Sequence, residues 1–325
     1  MFALGFGATL AAESAVLAAP AVVKIDGSST VFPISEAVAE EFLKTRKGRV
    51  QVTVGISGSG GGFKKFCRGE IDIANASRPI FRKEMDDCAK ASIRYYEMPI
   101  AYDALTVMVN PQNTFINSLS VAELKKIWEP AAQGRITSWK DVNPAWPDQK
   151  LKLFGAGADS GTFDYFTEAI VGKAKSSRGD YTASEDDNVL VQGTSGDKGA
   201  LGYFGFAYYV ENQKKLKAVA IDSGKGAIAP TVENVDNGSY RPLSRPIFIY
   251  VSEKALDRPE VRDFVTFYMQ NAAPLIKEVK YIPLPAKAYT GNLEHVARKK
   301  LGTVFGGQSE VGLTIDDLMK RESQL

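Results

Sequence analysis

Four short segments of this 325-residue sequence place hydroxyl, glycine and charged residues where a strand-like run gives way to a helix-like one. The first is Gly27-Ser28-Ser29-Thr30-Val31, ahead of the helical pattern SEAVAEEF. At a helix N-terminus the leading N–H groups have no intrahelical acceptor and the dipole is positive, so a bound oxyanion satisfies both. The hydroxyls of Ser29 and Thr30 add donors. In the second, GSGGGFKKF, Ser59 supplies a hydroxyl, and the glycines from Gly60 to Gly62 remove every Cβ so that backbone N–H groups can approach a small ligand. The third sets Ser77-Arg78 at a strand end before Pro79, where a guanidinium offers a planar, permanently charged fork. The fourth is Asp159-Ser160-Gly161-Thr162: two hydroxyls flank a glycine at a helix start, and Asp159 can accept a hydrogen bond from an anion that carries a proton. Taken singly, each loop has a plainer alternative, a helix cap, a flexible turn or a surface arginine.

The rest of the composition narrows the chemistry. Lys and Arg number 40 against 38 Asp and Glu, a net charge of +2, which creates no field for nucleic acid or an anionic membrane. With His295 as the one histidine and no cluster at ligand spacing, neither a metal nor another cofactor is expected, and imidazole catalysis has little material. No G-K-[ST] ends the glycine loop, and GISGS at 55–59 is only a broken G-x-S-x-G, so a nucleotide loop and an esterase elbow are both disfavoured. The acidic run SEDDN at 184–188 reads as a solvated loop, and Trp128, Trp139 and Trp146 read as packing residues.

Residues 1–21 resemble a secretory signal, apolar and Ala-rich with a V-x-A pattern at Val16 to Ala18, a short buried helix being the alternative. No Cys lies there, which disfavours a lipid anchor, and no later run approaches the roughly 20 apolar residues of a membrane span. In an exported chain Cys67 and Cys88, the only cysteines, read as one disulfide, with two unpaired buried thiols as the alternative.

The loops need elements to hold them. Strand-like runs at 22–27, 50–57, 71–77, 104–110, 150–156 and 245–252 alternate with helical patterns such as 35–46 and 121–129, which argues for βαβ units, mostly parallel sheets and an α/β class. Residues 105–246 would form a second lobe inserted between 22–104 and 247–325, so that the chain crosses a hinge twice.

The segments GSSTVFP, SGSGGGFKKF, DIANASRPI, YDALTVMVNP, WEPAAQGRITSW and GADSGTFDYF occur in one order. Together they resemble the substrate-binding subunit of the bacterial phosphate ABC importer, from about Val22 to the C-terminus. The resemblance implies a class II periplasmic-binding-protein fold, two α/β lobes joined by two crossover strands. It implies a non-enzymatic, monomeric, periplasmic or secreted protein whose partners are inorganic phosphate and a membrane permease, with no nucleic acid. Sulfate or molybdate binding, and less so hydrolysis of phosphate esters, are the alternatives. The phosphate contacts it implies are Ser29, Thr30, Val31, Ser59, Gly60, Ser77, Arg78, Asp159, Ser160, Gly161 and Thr162. In the best-known form of the family an Asp stands where this sequence has Arg78, and an Arg lies a few residues before the SGT motif, close to Ala156 here. The cation is therefore expected to have moved to Arg78, paired with Asp159 or with Asp103 near the hinge.

Overall fold

The alternation of branched runs and amphipathic stretches folds, in this computed structural model, into a ten-stranded mixed sheet flanked by helices and a separate three-stranded sheet; residues 20–46 and 48–324 are described. The signal-like segment lies, through residue 19, outside the described residues. The chain first forms β1 Ala21–Gly27, α1 Phe32–Lys44, β2 Val50–Ile56, α2 Gly58–Phe66, β3 Ile73–Ala76, α3 Arg82–Lys90 and β4 Tyr95–Val109. It then builds β5 Ser118–Ser120, α4 Val121–Trp128, α5 Trp139–Val142, β6 Lys152–Ala156, α6 Gly161–Val171, β7 Thr182–Ser184, α7 Asp187–Gly196, β8 Ala200–Gly205 and α8 Phe206–Glu211. β9 Lys217–Ala218, β10 Ala220–Asp222, β11 Ala227–Ile228, α9 Val232–Asp236, β12 Ser244–Ser252, α10 Pro259–Glu278, β13 Ile282–Pro283, α11 Ala286–Ala297 and α12 Ile315–Glu322 complete it.

The long path of the ten-stranded sheet is β2-β1-β3-β12-β4-β8-β6-β7, with β9 and β13 also on β4, and the three-stranded sheet has the order β11-β10-β5. β1 runs parallel to β2 and β3, and β6 parallel to β7 and β8, as the βαβ pattern demands. The joining strands differ from the expectation of mostly parallel pairing: β12 is antiparallel to β3 and β4, and β4 is antiparallel to β8. β4 runs through both halves of the sheet, the two lobes. Its residues Tyr95 to Ala104 pair with β12, whereas Leu105 to Val109 pair with β8. Both β4 and β12 are buried along their whole length, which is why their sequences show no alternation of polar and apolar residues.

Helices close each lobe. Pro33 in the first turn of α1 has its φ preset for a helix and needs no hydrogen-bond partner, and Ile34, Val38, Ala39 and Phe42 recur at helical spacing on the buried face. Phe42 meets Phe264 of α10 edge-on at 5.3 Å. In the second lobe Phe166 of α6 stacks on Tyr203 of β8 at 3.9 Å, and Trp128 meets both rings edge-on. Burying a ring of this kind contributes about 2–3 kcal/mol; Trp128 and Trp139 are packing residues, 1% and 0% exposed. Cys67 and Cys88 form the expected disulfide, tying the end of α2 to α3. Its 21-residue separation stabilises by about 3 kcal/mol on the chain-entropy account. No described helix is long and apolar enough to cross a membrane.

Candidate functional site

Each loop picked out by residue type lies where a strand ends and a helix begins. After β1, the N–H groups of Val31 and Phe32 both donate to Ser28 O, at 3.2 and 3.1 Å, so the chain turns sharply into α1 and lifts Ser29 and Thr30 toward the second lobe. After β2, Gly58 takes φ +73°, and a Cβ there would stand 2.5 Å from Asp159 O. Only glycine meets both conditions without strain. Gly60 N donates to that same carbonyl at 2.7 Å, a backbone bond from lobe to lobe. On the opposite side Ser160 caps α6, its Oγ accepting from Thr162 N at 3.1 Å.

These turns bring five of the expected residues into direct contact. Thr30 Oγ1 lies 3.1 Å from Thr162 Oγ1, Ser59 Oγ lies 3.2 Å from Ser77 Oγ, and Ser77 N donates to Ser59 Oγ at 3.0 Å. Gly161 fits between the lobes only because it has no side chain, since a Cβ would stand 2.5 Å from Ser59 Oγ and 2.7 Å from Ser77 Oγ. The first lobe therefore supplies Thr30, Ser59 and Ser77, and the second supplies Gly161 and Thr162, all of them buried.

The charged partners differ from expectation. Neither Asp159 nor Asp103 pairs with Arg78. Arg78 is 1% exposed and fully engaged: Nε donates to Asp164 Oδ2 at 2.6 Å, its two terminal nitrogens to Glu84 at 2.7 and 2.8 Å, and Nη1 also to Pro79 O. Its guanidinium also covers the Phe81 ring at 3.8 Å. Glu84 sits six residues away on α3 and Asp164 lies across the lobes on α6, so Arg78 acts as a buried clasp between them. Burial pushes the Asp164 carboxyl up, while Arg78 and Lys175 pull it back. Asp159 is half-exposed at the cleft mouth and takes two bonds from Lys64 at 2.8 Å.

The cation among the hydroxyls is Arg245 of β12. Its Nη2 donates to Thr162 Oγ1 at 2.8 Å and to Asp103 Oδ2 at 3.0 Å, and its Nη1 to Gly161 O at 3.1 Å. Thr30 Oγ1 lies 3.5 Å from Nη2 as well. Asp103, beside the lobe crossing, thus pairs with Arg245, and Ser29 Oγ donates across the lobes to Asp187 Oδ1 at 3.3 Å.

Sequence reasoning missed Arg245 and Asp187. Arg245 had a signal: Ser244-Arg245-Pro246 repeats the tripeptide Ser77-Arg78-Pro79 at the edge of another strand-like run. Asp187 had none, because it belongs to the acidic run read as solvated. It opens α7 and is 1% exposed. Hydroxyls from two lobes and one guanidinium suit a small oxyanion. His295 stands on α11, 4.0 Å from Glu322.

Comparison with known proteins gives the family. Residues 14–272 match the PBP superfamily domain. The chain is 57% identical to protein SphX of Synechococcus elongatus over 93% of this chain and 89% of that one. It is 40% identical to the phosphate-binding protein PstS of Staphylococcus saprophyticus, covering 89% of this chain and 86% of that one. Among solved structures, a putative phosphate ABC transporter substrate-binding protein with bound phosphate from Clostridium perfringens is 28% identical with TM-score 0.68, covering 81% of this chain and 100% of that one.

Proposed function

The chain belongs to the PBP superfamily, among its PstS-like phosphate-binding proteins, and on that premise we propose that it captures inorganic phosphate between its lobes and hands it to the permease of an ABC importer. The observation that carries this reading is the meeting of Ser59 and Ser77 with Gly161, and of Thr30 with Thr162 and Arg245. A ligand held by donors from both lobes stabilises the closed arrangement over any other, which is the thermodynamic basis of capture. The PstS relative and the phosphate-bound structure from Clostridium perfringens support phosphate as the anion. In this reading Thr30, Ser59, Ser77, Gly161 and Thr162 contact the anion with Arg245 as the cation. Ser29, Val31, Gly60 and Ser160 shape the loops, and Arg78 and Asp159 hold the lobes together. The protein works as an exported monomer without catalysis.

Titration calorimetry of the purified protein with phosphate, sulfate and molybdate at two pH values tests the proposal. Saturable phosphate binding with a far weaker sulfate response is expected. Tight sulfate or molybdate binding with no response to phosphate overturns it.

A further inference from the structure

Behind the hydroxyl loops lies a buried acidic cluster whose charges do not balance. Asp187 accepts from Ser29 Oγ through Oδ1, and its Oδ2 has no partner. The groups facing it come from several elements: Asp103 of β4, Arg245 of β12, Tyr208 of α8, Tyr281 just before β13 and its neighbour Asp186. Asp103 Oδ1 and the Tyr281 hydroxyl are also unpartnered, and they lie 3.7 and 3.6 Å from where a Cβ of Gly205 would stand. Arg245 binds Asp103 directly, so it neutralises that carboxyl and leaves Asp187 without a counter-ion of its own. Burial, with the charge of Asp103 added, pushes the Asp187 carboxyl up to about 7.

An anion entering beside an ionised Asp187 would face a like charge in a low-dielectric interior, where repulsion is strong. A neutral carboxyl removes the repulsion and presents a donor instead. We propose that Asp187 takes part in anion binding as a carboxylic acid, so that capture of each anion draws a proton from solvent onto its free Oδ2. The step forms one O–H bond on Asp187, the buffer acid gives up the proton, and no other bond changes. Burial pushes the Asp103 carboxyl up as well, but Arg245 beside it pulls it back toward the charged form, whereas Asp187 has no cation bonded to it. This inference rests on the oxyanion reading above and adds a residue from the second lobe to it.

The test is calorimetry of phosphate binding at pH 7.5 in two buffers of different ionisation enthalpy, with the wild type and Asp187→Asn side by side. The titration of phosphate itself is common to both proteins, so the difference in proton uptake isolates Asp187. The wild type is expected to take up roughly 0.7 proton more per anion than the variant. Equal proton counts in two proteins that both bind refute the assignment to Asp187 and leave the function reading standing. A wild type that binds no tetrahedral oxyanion refutes the function reading itself. If Asp187→Asn does not bind, carboxyl carbon NMR of the wild type decides: the Asp187 signal must titrate near 7 in the free protein and stay protonated through that range in the complex. An Asp187 ionised in the complex overturns the proposal.

Discussion

Replacing Gly161 by alanine separates lobe closure from the stability of either lobe. The added Cβ would stand 2.5 Å from Ser59 Oγ and 2.7 Å from Ser77 Oγ, two buried hydroxyls of the opposite lobe. Neither can step aside freely, since Ser59 Oγ accepts from Ser77 N at 3.0 Å and lies 3.2 Å from Ser77 Oγ. Overpacking of this kind costs about 1–3 kcal/mol. Gly161 opens α6 without a positive φ, so alanine suits its backbone and would stabilise an exposed helical position by up to about 1 kcal/mol. The penalty therefore falls only on the arrangement in which the lobes touch. Because apparent affinity scales with the fraction of closed, binding-competent protein, the phosphate Kd should rise by about 5- to 150-fold. The Tm without ligand should be unchanged or slightly higher. Calorimetry and thermal melts with and without phosphate make the measurement. A Kd within about twofold of the wild type refutes the reasoning, because even 1 kcal/mol changes affinity more than that. A fall in ligand-free Tm that accounts for the lost affinity refutes it as well, since the clash would then lie inside one folded unit.

Arg245→Met removes the cleft cation and leaves Asp103 buried without its partner, which should lower stability by about 3–5 kcal/mol in urea unfolding and abolish phosphate binding. Adding Asp103→Asn should recover much of the stability and none of the binding; recovery of both would show that the guanidinium is not a ligand. Asp164→Asn leaves Arg78 paired with Glu84 but takes a charge from the clasp between lobes, a bond worth about 1.5–3 kcal/mol. Stopped-flow release of phosphate should quicken by about tenfold or more with association little changed, and an unaltered release rate would remove the clasp from the closed state. Glu97, 2% exposed and bonded to Tyr250 OH and Val304 N, is pushed by burial from 4.5 up to about 7. The folded protein therefore holds a proton there that the unfolded chain has released, and stability falls as pH rises between these two values, by up to about 3 kcal/mol. Urea unfolding at pH 5 and 8 should show a shallower fall in Glu97→Gln than in the wild type; identical slopes would show that Glu97 does not titrate in this window.

The sequence by itself determined the parts of this protein that depend on neighbours along the chain. The runs ending at Gly27, Ile56 and Ala156 carry branched residues, and each is followed by small, hydroxyl-bearing residues and then a helical period. Strand, turn and helix signals are local, so Thr30, Ser59, Gly161 and Thr162 were legible as loop residues at helix starts. The long strand β4 was legible only in part: its second half, 104–110, reads as a strand, whereas Glu97 and Asp103 interrupt the apolar pattern ahead of it. Charge pairing was not legible. Ser-Arg-Pro occurs at 77–79 and again at 244–246, and nothing local tells the two arginines apart. Only the folded chain places Arg78 against Glu84 and Asp164, and Arg245 against Asp103, Thr162 and the carbonyl of Gly161. Asp187 makes the same point more sharply, for it sits in an acidic run that would be solvated in isolation. Its burial comes from contacts such as Ser29, 158 residues away along the chain. Pairing energy depends on distance and on the loss of water around both partners, and tertiary structure alone sets these.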